Sequence, residues 1–277
     1  MSVSAATRYR LDDLRRLAAS LASALGVSPP RASALASQLL WFDAAGRPEH
    51  GIATLPDWLD RIDRKEVDPL AEGRPRLERA GTAAVDGQNG LAPLVLAKAA
   101  GIAAEKARDV GLGVVRVTGL GPSGPAAPVA AELAIGPFMA AIVGPGPSWT
   151  LAVPTAEGLP AIHDSALGSS SGPAEIPGGL DSWAPWAGAL AGGEGGWAIL
   201  AIAVLAFEPL ADFRERIAAM AGSATPWPAS LSPVAWEASR REARERGVAL
   251  DDRASAGLRD WAGRLGVAWP SETEPNA

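Results

Sequence analysis

Leu11, Leu14, Leu17, Leu21 and Leu25 recur at three- and four-residue intervals, with Asp12 and Asp13 at the start of the run and Gly26 at its end. That period sets the leucines on one face of an α-helix, with acidic residues where a helix begins and a glycine where one stops. Ser28 and Pro29 open a second helix that carries Leu35, Leu39 and Leu40 on one face and runs to Ala45 and Gly46. A third opens at Thr54 and Pro56 and places Trp58, Leu59 and Ile62 together. The chain therefore begins as a helical unit.

The pattern then changes. Polar coil is expected from Lys65 to Arg79, a short strand at Ala83 to Asp86, and a turn at Gly87 to Gly90. An Ala-rich helix runs from about Leu91 to Asp109, and past Gly111 and Gly113 a buried strand follows at Val114 to Thr118. Strand, helix and strand in that order build α/β sheets. A helix is expected from Pro125 to Ile135, with strands at Phe138 to Val143, Thr150 to Pro154 and Pro160 to His163. Gly168 to Gly196 reads as a loop rich in Gly, Ser, Pro and Trp, and the very apolar Trp197 to Leu205 as a helix buried all round. A charged helix at Asp212 to Met220, a Pro-rich connection with Trp227 and Trp236, and helices near Ala238 to Arg246 and Asp252 to Leu265 complete the pattern. The organisation expected is a helical unit at 1–64, an α/β lobe at 65–210, C-terminal helices at 211–269 packing back on the first unit, and a disordered tail at 270–277.

Composition narrows the functions available. A net charge of −6 and the Glu residues interleaved through Arg240 to Arg246 argue against nucleic acid as a partner. Without Cys there is no thiolate nucleophile, disulfide or Cys-ligated zinc, and the two histidines, His50 and His163, leave little for a metal site, so none is expected. Met1 to Arg10 lacks an apolar signal core, and the longest apolar run, Trp197 to Phe207, falls well short of the roughly 20 residues of a membrane span. The expectation is a cytoplasmic protein acting on a small molecule, with no membrane or nucleic-acid partner. Ten Trp against one Tyr supply large anchors suited to an interface or a lined pocket.

Candidate chemistry concentrates at Gly46-Arg47-Pro48-Glu49-His50-Gly51, where an imidazole stands beside a carboxylate. Imidazole is the usual acid/base near neutral pH, although a histidine at a loop–helix junction also serves structure alone. Glu49 is either a solvent-facing charge or a second acid/base group. Gly119-Leu120-Gly121-Pro122-Ser123-Gly124 matches G-x-G-x-x-G between a strand and a helix. Yet Met139 to Pro147 holds no acidic residue for a ribose, and Pro122 lacks an N–H for a phosphate, so a plain turn is the preferred reading. Gly192-Gly193-Glu194-Gly195-Gly196 lacks the Lys-Ser/Thr of a phosphate loop. His163-Asp164 reads as a satisfied strand end or as chemistry, and Ser169 to Ser171 carries no G-x-S-x-G.

Four blocks together resemble the malate/L-lactate dehydrogenase family of the non-Rossmann type, which includes ureidoglycolate, sulfolactate and cyclic-imine reductases. Leu11 to Ala45 is similar to its opening helix pair, and Gly46 to Pro56 to its R-G-x-D-S-H-G-V-x-R-L-P segment. Ala84-Val85-Asp86-Gly87-Gln88-Asn89-Gly90-Leu91 through Val117 resembles its v-D-G-x-x-G-L-G turn, long helix and strand, and Glu245 to Val267 its closing helix. The resemblance implies an α/β fold with an N-terminal helical unit, a mixed-sheet lobe that is not doubly wound, and C-terminal helices. It also implies NAD(P)H, a homodimer or a heterodimer with a relative, and His50 as the catalytic histidine.

The chain departs from that pattern where the family holds its ligands. Glu49 replaces the family's Ser, Thr54 its substrate-clamping Arg, and Pro122 the second His of an N-H-F-G loop. The G-T-N-P loop is missing near Gly144 to Pro147, Asp164-Ser165-Ala166-Leu167-Gly168-Ser169 keeps part of a D-M-A-T-S segment, and Glu194 stands for a nucleotide-side Lys. The reading that follows is a repurposed scaffold with His50, Glu49 and Asp164 as catalytic residues, no cofactor, and Thr54, Trp183, Trp186 and Trp197 lining the pocket. If NAD(P)H does bind, the resemblance assigns Gly121, Ser123, Gly124, Asp164 and Ser165 to it. Two alternatives stay open: a reductase of a 2-oxo acid or cyclic imine with altered cofactor contacts, and a non-catalytic partner subunit.

Overall fold

The leucine stripe at the start of the chain is the buried face of a helix pair. Helix α1 (Leu11–Ala24) buries Leu14, Leu17 and Leu21, and helix α2 (Pro29–Ala44) buries Leu35, Leu39 and Leu40. Each leucine removed from water contributes about 2 kcal/mol, more than intrinsic helix propensity supplies per residue. The computed structural model describes residues 7–121, 123–145, 148–165, 167, 191, 195–221 and 231–272. Their contacts divide the chain into two compact units, residues 1–70 with 234–277 and residues 71–233.

In the first unit, α2 is followed by two 3-10 turns, Pro48–His50 and Ile52–Thr54, and by helix α3 (Leu55–Asp63), which buries Leu55, Trp58, Leu59 and Ile62. Strand β1 (Thr7–Tyr9) pairs antiparallel with the late strand β9 (Val248–Leu250), so both ends of the chain belong to this unit. Three residues on each side show no period, which is why the sequence pattern does not announce this ribbon. Tyr9 is fully buried, and its hydroxyl accepts hydrogen bonds from Arg259 at 3.1 Å and from the Trp269 indole N–H at 3.3 Å. The last helix of the unit runs over Asp252–Leu265; Asp251 caps it by accepting from the Ala254 N–H, and Leu258 and Trp261 are buried beneath it.

The second unit is built on a sheet in which seven described strands run in the order β2-β3-β4-β8-β5-β6-β7. These are β2 (Arg74–Glu78), β3 (Thr82–Asp86), β4 (Leu112–Thr118), β5 (Phe138–Val143), β6 (Trp149–Val153), β7 (Ala161–Asp164) and β8 (Trp197–Ala203). Strands β3 and β4 are parallel, joined by helix α4 (Ala92–Val110), and the other described pairings are antiparallel. This is a mixed α/β sheet, not a doubly wound Rossmann sheet. Helix α4 lies so close to the sheet that a Cβ at Gly113 would sit 1.9 Å from the Ala103 carbonyl oxygen. Helix α5 (Ala127–Ile135) precedes β5, and helix α6 (Leu210–Ala221) follows β8. Helix α7 (Pro233–Arg246) starts five residues before the expected Ala238, because a proline fits the first turn without needing its N–H. The helix over Asp252–Leu265 is α8.

Two expectations are overturned. Trp197 to Leu205 is not a helix: β8 lies between β4 and β5, followed by the 3-10 turn Val204–Ala206. A central strand covered on both faces shows an unbroken apolar run with no alternation, and β-branched Ile199 and Ile202 suit the pleat. The expected coil from Lys65 to Arg79 contains β2, an edge strand exposed along its length. Its Pro75 and alternating charges are what an edge strand uses against stray pairing, and they conceal it from pattern reading. Trp183, Trp186, Ser169 to Ser171, Glu194, Pro122, Trp227 and residues 273–277 of the expected tail lie outside the described residues. Among the described residues no helix is long and apolar enough to cross a membrane.

Candidate functional site

His50 closes a 3-10 turn that the backbone holds at each step. The Arg47 N–H donates to the Phe42 carbonyl at 2.8 Å, His50 to Arg47 at 3.1 Å, and Gly51 to Pro48 at 3.0 Å. Thr54 then donates twice to the Gly51 carbonyl, through its N–H at 3.0 Å and its hydroxyl at 2.8 Å. The imidazole is half-buried, its ring 5.6 Å from that of Phe42 and tilted by 56°. Glu49 is exposed beside it. Thr54, expected in the substrate pocket, turns its hydroxyl into the turn instead.

Beneath this turn lies a group that sequence reasoning missed. Asp43, on the last turn of α2, is 9% exposed, and its Oδ2 accepts from the Ile52 N–H at 2.8 Å. Among the described residues its Oδ1 is buried with no side-chain hydrogen-bond partner within reach. The carboxyl lies flat on Gly51: a Cβ there would stand 2.4 Å from Cγ and from both oxygens, so glycine alone fits. Burial pushes the Asp43 carboxyl from 3.8 up to about 7, against the pull of the Ile52 N–H and its own, with the Glu49 charge adding to the rise. Near neutral pH it is therefore partly protonated. The signal was available: an aspartate follows Leu39, Leu40, Trp41 and Phe42 at the end of an apolar helix, seven residues before the histidine.

Asp164 belongs to the second unit. It is buried at the end of β7, where its Oδ2 accepts from the buried Thr150 hydroxyl at 2.6 Å. His163 is also buried and stacks on Trp149, ring centroids 4.6 Å apart and 16° from parallel. The Ser165 hydroxyl accepts the Trp149 N–H at 3.0 Å. Trp197 is 2% exposed and packs against Gly144, a core position within β8.

The residues that the resemblance sets against a dinucleotide lie on the turn after β4 and at the end of β7. The Gly119 carbonyl accepts the Asn89 N–H at 2.7 Å, and the Gly87 N–H donates to Thr118 at 2.6 Å, which makes the glycine-rich turn the partner of the turn at 86–90. Pro125 and Pro128 remove N–H donors at the start of α5, where a phosphate would need them. Ser165 and Asp164 direct the bonds above into the sheet. Gly121, Ser123 and Gly124 are partly or fully exposed and add no side-chain charge. In the turn at 86–90, Asp86 accepts from Arg76 at 2.7 Å and from the Gln88 N–H at 3.0 Å, while Gln88 and Asn89 take left-handed conformations. The Arg76 hydrogen bond holds the Asp86 carboxyl below its usual range. This segment is scaffold. No cluster of three metal-ligating side chains occurs among the described residues.

Comparison with known proteins agrees with the fold. Residues 9–140 match the family model of malate/L-lactate dehydrogenase. Over 90 residues the chain is 32% identical to the L-sulfolactate dehydrogenase of Methanocaldococcus jannaschii, a stretch covering 32% of this chain and 26% of that protein. Malate dehydrogenase from Entamoeba histolytica superposes with a TM-score of 0.83 at 15% identity, over 96% of this chain and 100% of the other. Delta1-piperideine-2-carboxylate reductase from Pseudomonas syringae pvar. tomato gives 0.75 at 18%, over 92% and 100%. At such identities the structural likeness shows the fold.

Proposed function

Residues 9–140 match the malate/L-lactate dehydrogenase family model, and from that premise we propose that the chain turns a dehydrogenase scaffold to cofactor-independent acid/base chemistry on a small carbonyl, imine or peptide-like intermediate of a biosynthetic route. His50 takes a proton from the carbon beside the carbonyl or imine, and the electron pair left by that C–H bond delocalises onto the oxygen or nitrogen. The proton returns from His50 or from Glu49, the acid beside it in the same turn. Imidazole suits this task because its ordinary pKa lies near the working pH.

One contrast supports this reading. The turn that presents His50 is held by its own hydrogen bonds, while Thr54, standing for the family's clamping arginine, is part of that turn. A substrate carboxylate loses its bidentate partner there. Each charge-assisted hydrogen bond contributes about 1.5–3 kcal/mol, so losing that clamp together with the nucleotide-side lysine weakens the ancestral complex by orders of magnitude.

The test is a pair of measurements on the whole protein. Titration with NADH and NADPH, followed by Trp fluorescence, is expected to show no micromolar binding. Incubation with 2-oxo acids and cyclic imines in D2O is expected to exchange the α-protons with wild type and not with His50→Ala. Micromolar cofactor binding would replace the proposal with a reductase. Neither binding nor exchange would leave the third reading, a non-catalytic partner.

A further inference from the structure

We infer that Asp43 is the positioning residue of the His50 turn, holding Gly51 and Ile52 against helix α2 while its carboxyl carries a proton and releasing them when that proton is lost. The inference rests on the proposed role of His50 for its consequence in activity, whereas the response of the turn to Asp43 is read without substrate.

Three contacts carry it. The Ile52 N–H binds Oδ2, Gly51 lies flat on the carboxyl, and His50 is joined directly to Gly51 and leans on Phe42, the residue before Asp43. Asp43 thus grips the turn from below on the residues that follow the imidazole. Its second oxygen is buried without a hydrogen-bond partner among the described residues. A neutral acid tolerates that better than a carboxylate, which needs several donors in so apolar a place. Ile52, Leu55, Leu39 and Phe42 are all buried, so the fold offers little solvation in exchange. The titratable and charged groups on the elements packed around it include Arg47, Glu49 and His50 on the turn, Arg240 on α7 and Arg253 on α8, and the Glu49 charge acts against ionisation of Asp43. Once ionised, Asp43 keeps the Ile52 N–H and its own N–H as donors, and a further donor for the buried carboxylate comes only with water, which enters when Gly51 and Ile52 lift from α2. The imidazole moves with them.

This device would make the site most ordered on the acid side of neutrality and looser on the alkaline side. It also explains an aspartate kept at a buried helix position where a leucine would pack at lower cost.

The two-histidine composition makes the test direct. In uniformly labelled full-length protein, the Ile52 amide and the two imidazoles are followed by NMR from pH 4 to 9, with His50→Gln assigning the His50 ring. The Ile52 amide is expected to titrate near pH 7, a transition that persists in His50→Gln and is absent in Asp43→Asn. Above pH 7.5 the amide hydrogens of Gly51 and Ile52 are expected to exchange at least tenfold faster in wild type than in Asp43→Asn at the same pH. A wild-type Ile52 amide that titrates near pH 4, or not at all, overturns the inference without any variant. So does a transition lost in His50→Gln, which would belong to the imidazole. Because no readout uses turnover, a failed proton-exchange assay removes the proposed reaction and leaves this result standing.

Discussion

Gly51 and Asp43 are separated by eight positions and pressed together so closely that a Cβ on Gly51 would stand 2.4 Å from the carboxyl carbon. The Gly51 backbone, at φ −83° and ψ −150°, is open to any residue, so the requirement for glycine is steric, and the nearest atoms that impose it are those of the Asp43 carboxyl. Gly51→Ala is expected to cost at least about 2 kcal/mol, the usual price of forcing an atom into a filled site. Pairing it with Asp43→Ala should recover part of that loss, since the clashing partner is gone. Denaturant unfolding of the two single variants and the double variant checks this; strictly additive losses would mean that the two residues do not touch in solution.

Asp43 also predicts a pH dependence, and its sign is opposite to that of most carboxylates. Its folded-state pKa is raised from 3.8 to about 7, so the folded protein holds a proton that the unfolded chain has released. The favourable contribution is complete below pH 3.8, falls as pH rises, and is fully lost by about pH 7, with nothing further lost above. Three units at 1.36 kcal/mol each set an upper limit of about 4 kcal/mol, reduced by any local opening of the turn. Asp43→Asn should flatten the stability curve over that window, as thermal midpoints at pH 4.5 and 7.5 would show.

Asp86 behaves in the ordinary sense. Arg76 and the Gln88 N–H favour its charged form, so its contribution is present above the normal carboxylate range and is lost as pH falls through its lowered pKa. The pair is exposed, which limits its worth. Arg76→Ala is expected to move the Asp86 titration upward with little change in global stability, and to speed amide exchange at Gln88 and Gly90 more than elsewhere in the unit. Unchanged exchange there would show that Gly87, not Asp86, shapes the turn.

These predictions fall on features of uneven legibility. The helix pair was plain because Leu14, Leu17 and Leu21 repeat at the helical period and bury that face. The strand–helix–strand passage from Thr82 to Thr118 was equally readable, its glycines marking each junction. Strand β8 was not, because a strand covered on both faces and a buried helix write the same unbroken apolar run. Strand β2 carries an edge strand's charges and proline, which look like coil. At the site, His50 stood out by residue type, whereas Asp43 was hidden: its role depends on Ile52 and Gly51 folding back over α2, a contact made nine residues away. Charge and burial had to be known together before that residue acquired a meaning.

The second unit offers a last test, at Thr150. Its hydroxyl donates to Asp164 at 2.6 Å, with both residues 1% exposed. Thr150→Val keeps the volume and removes the donor, so a buried carboxylate oxygen loses a partner at an expected cost of about 2–3 kcal/mol. Thr150→Ser keeps the donor and loses a methyl, which should cost about 1 kcal/mol. The order of the two is the content of the prediction, because packing alone would rank them the other way round.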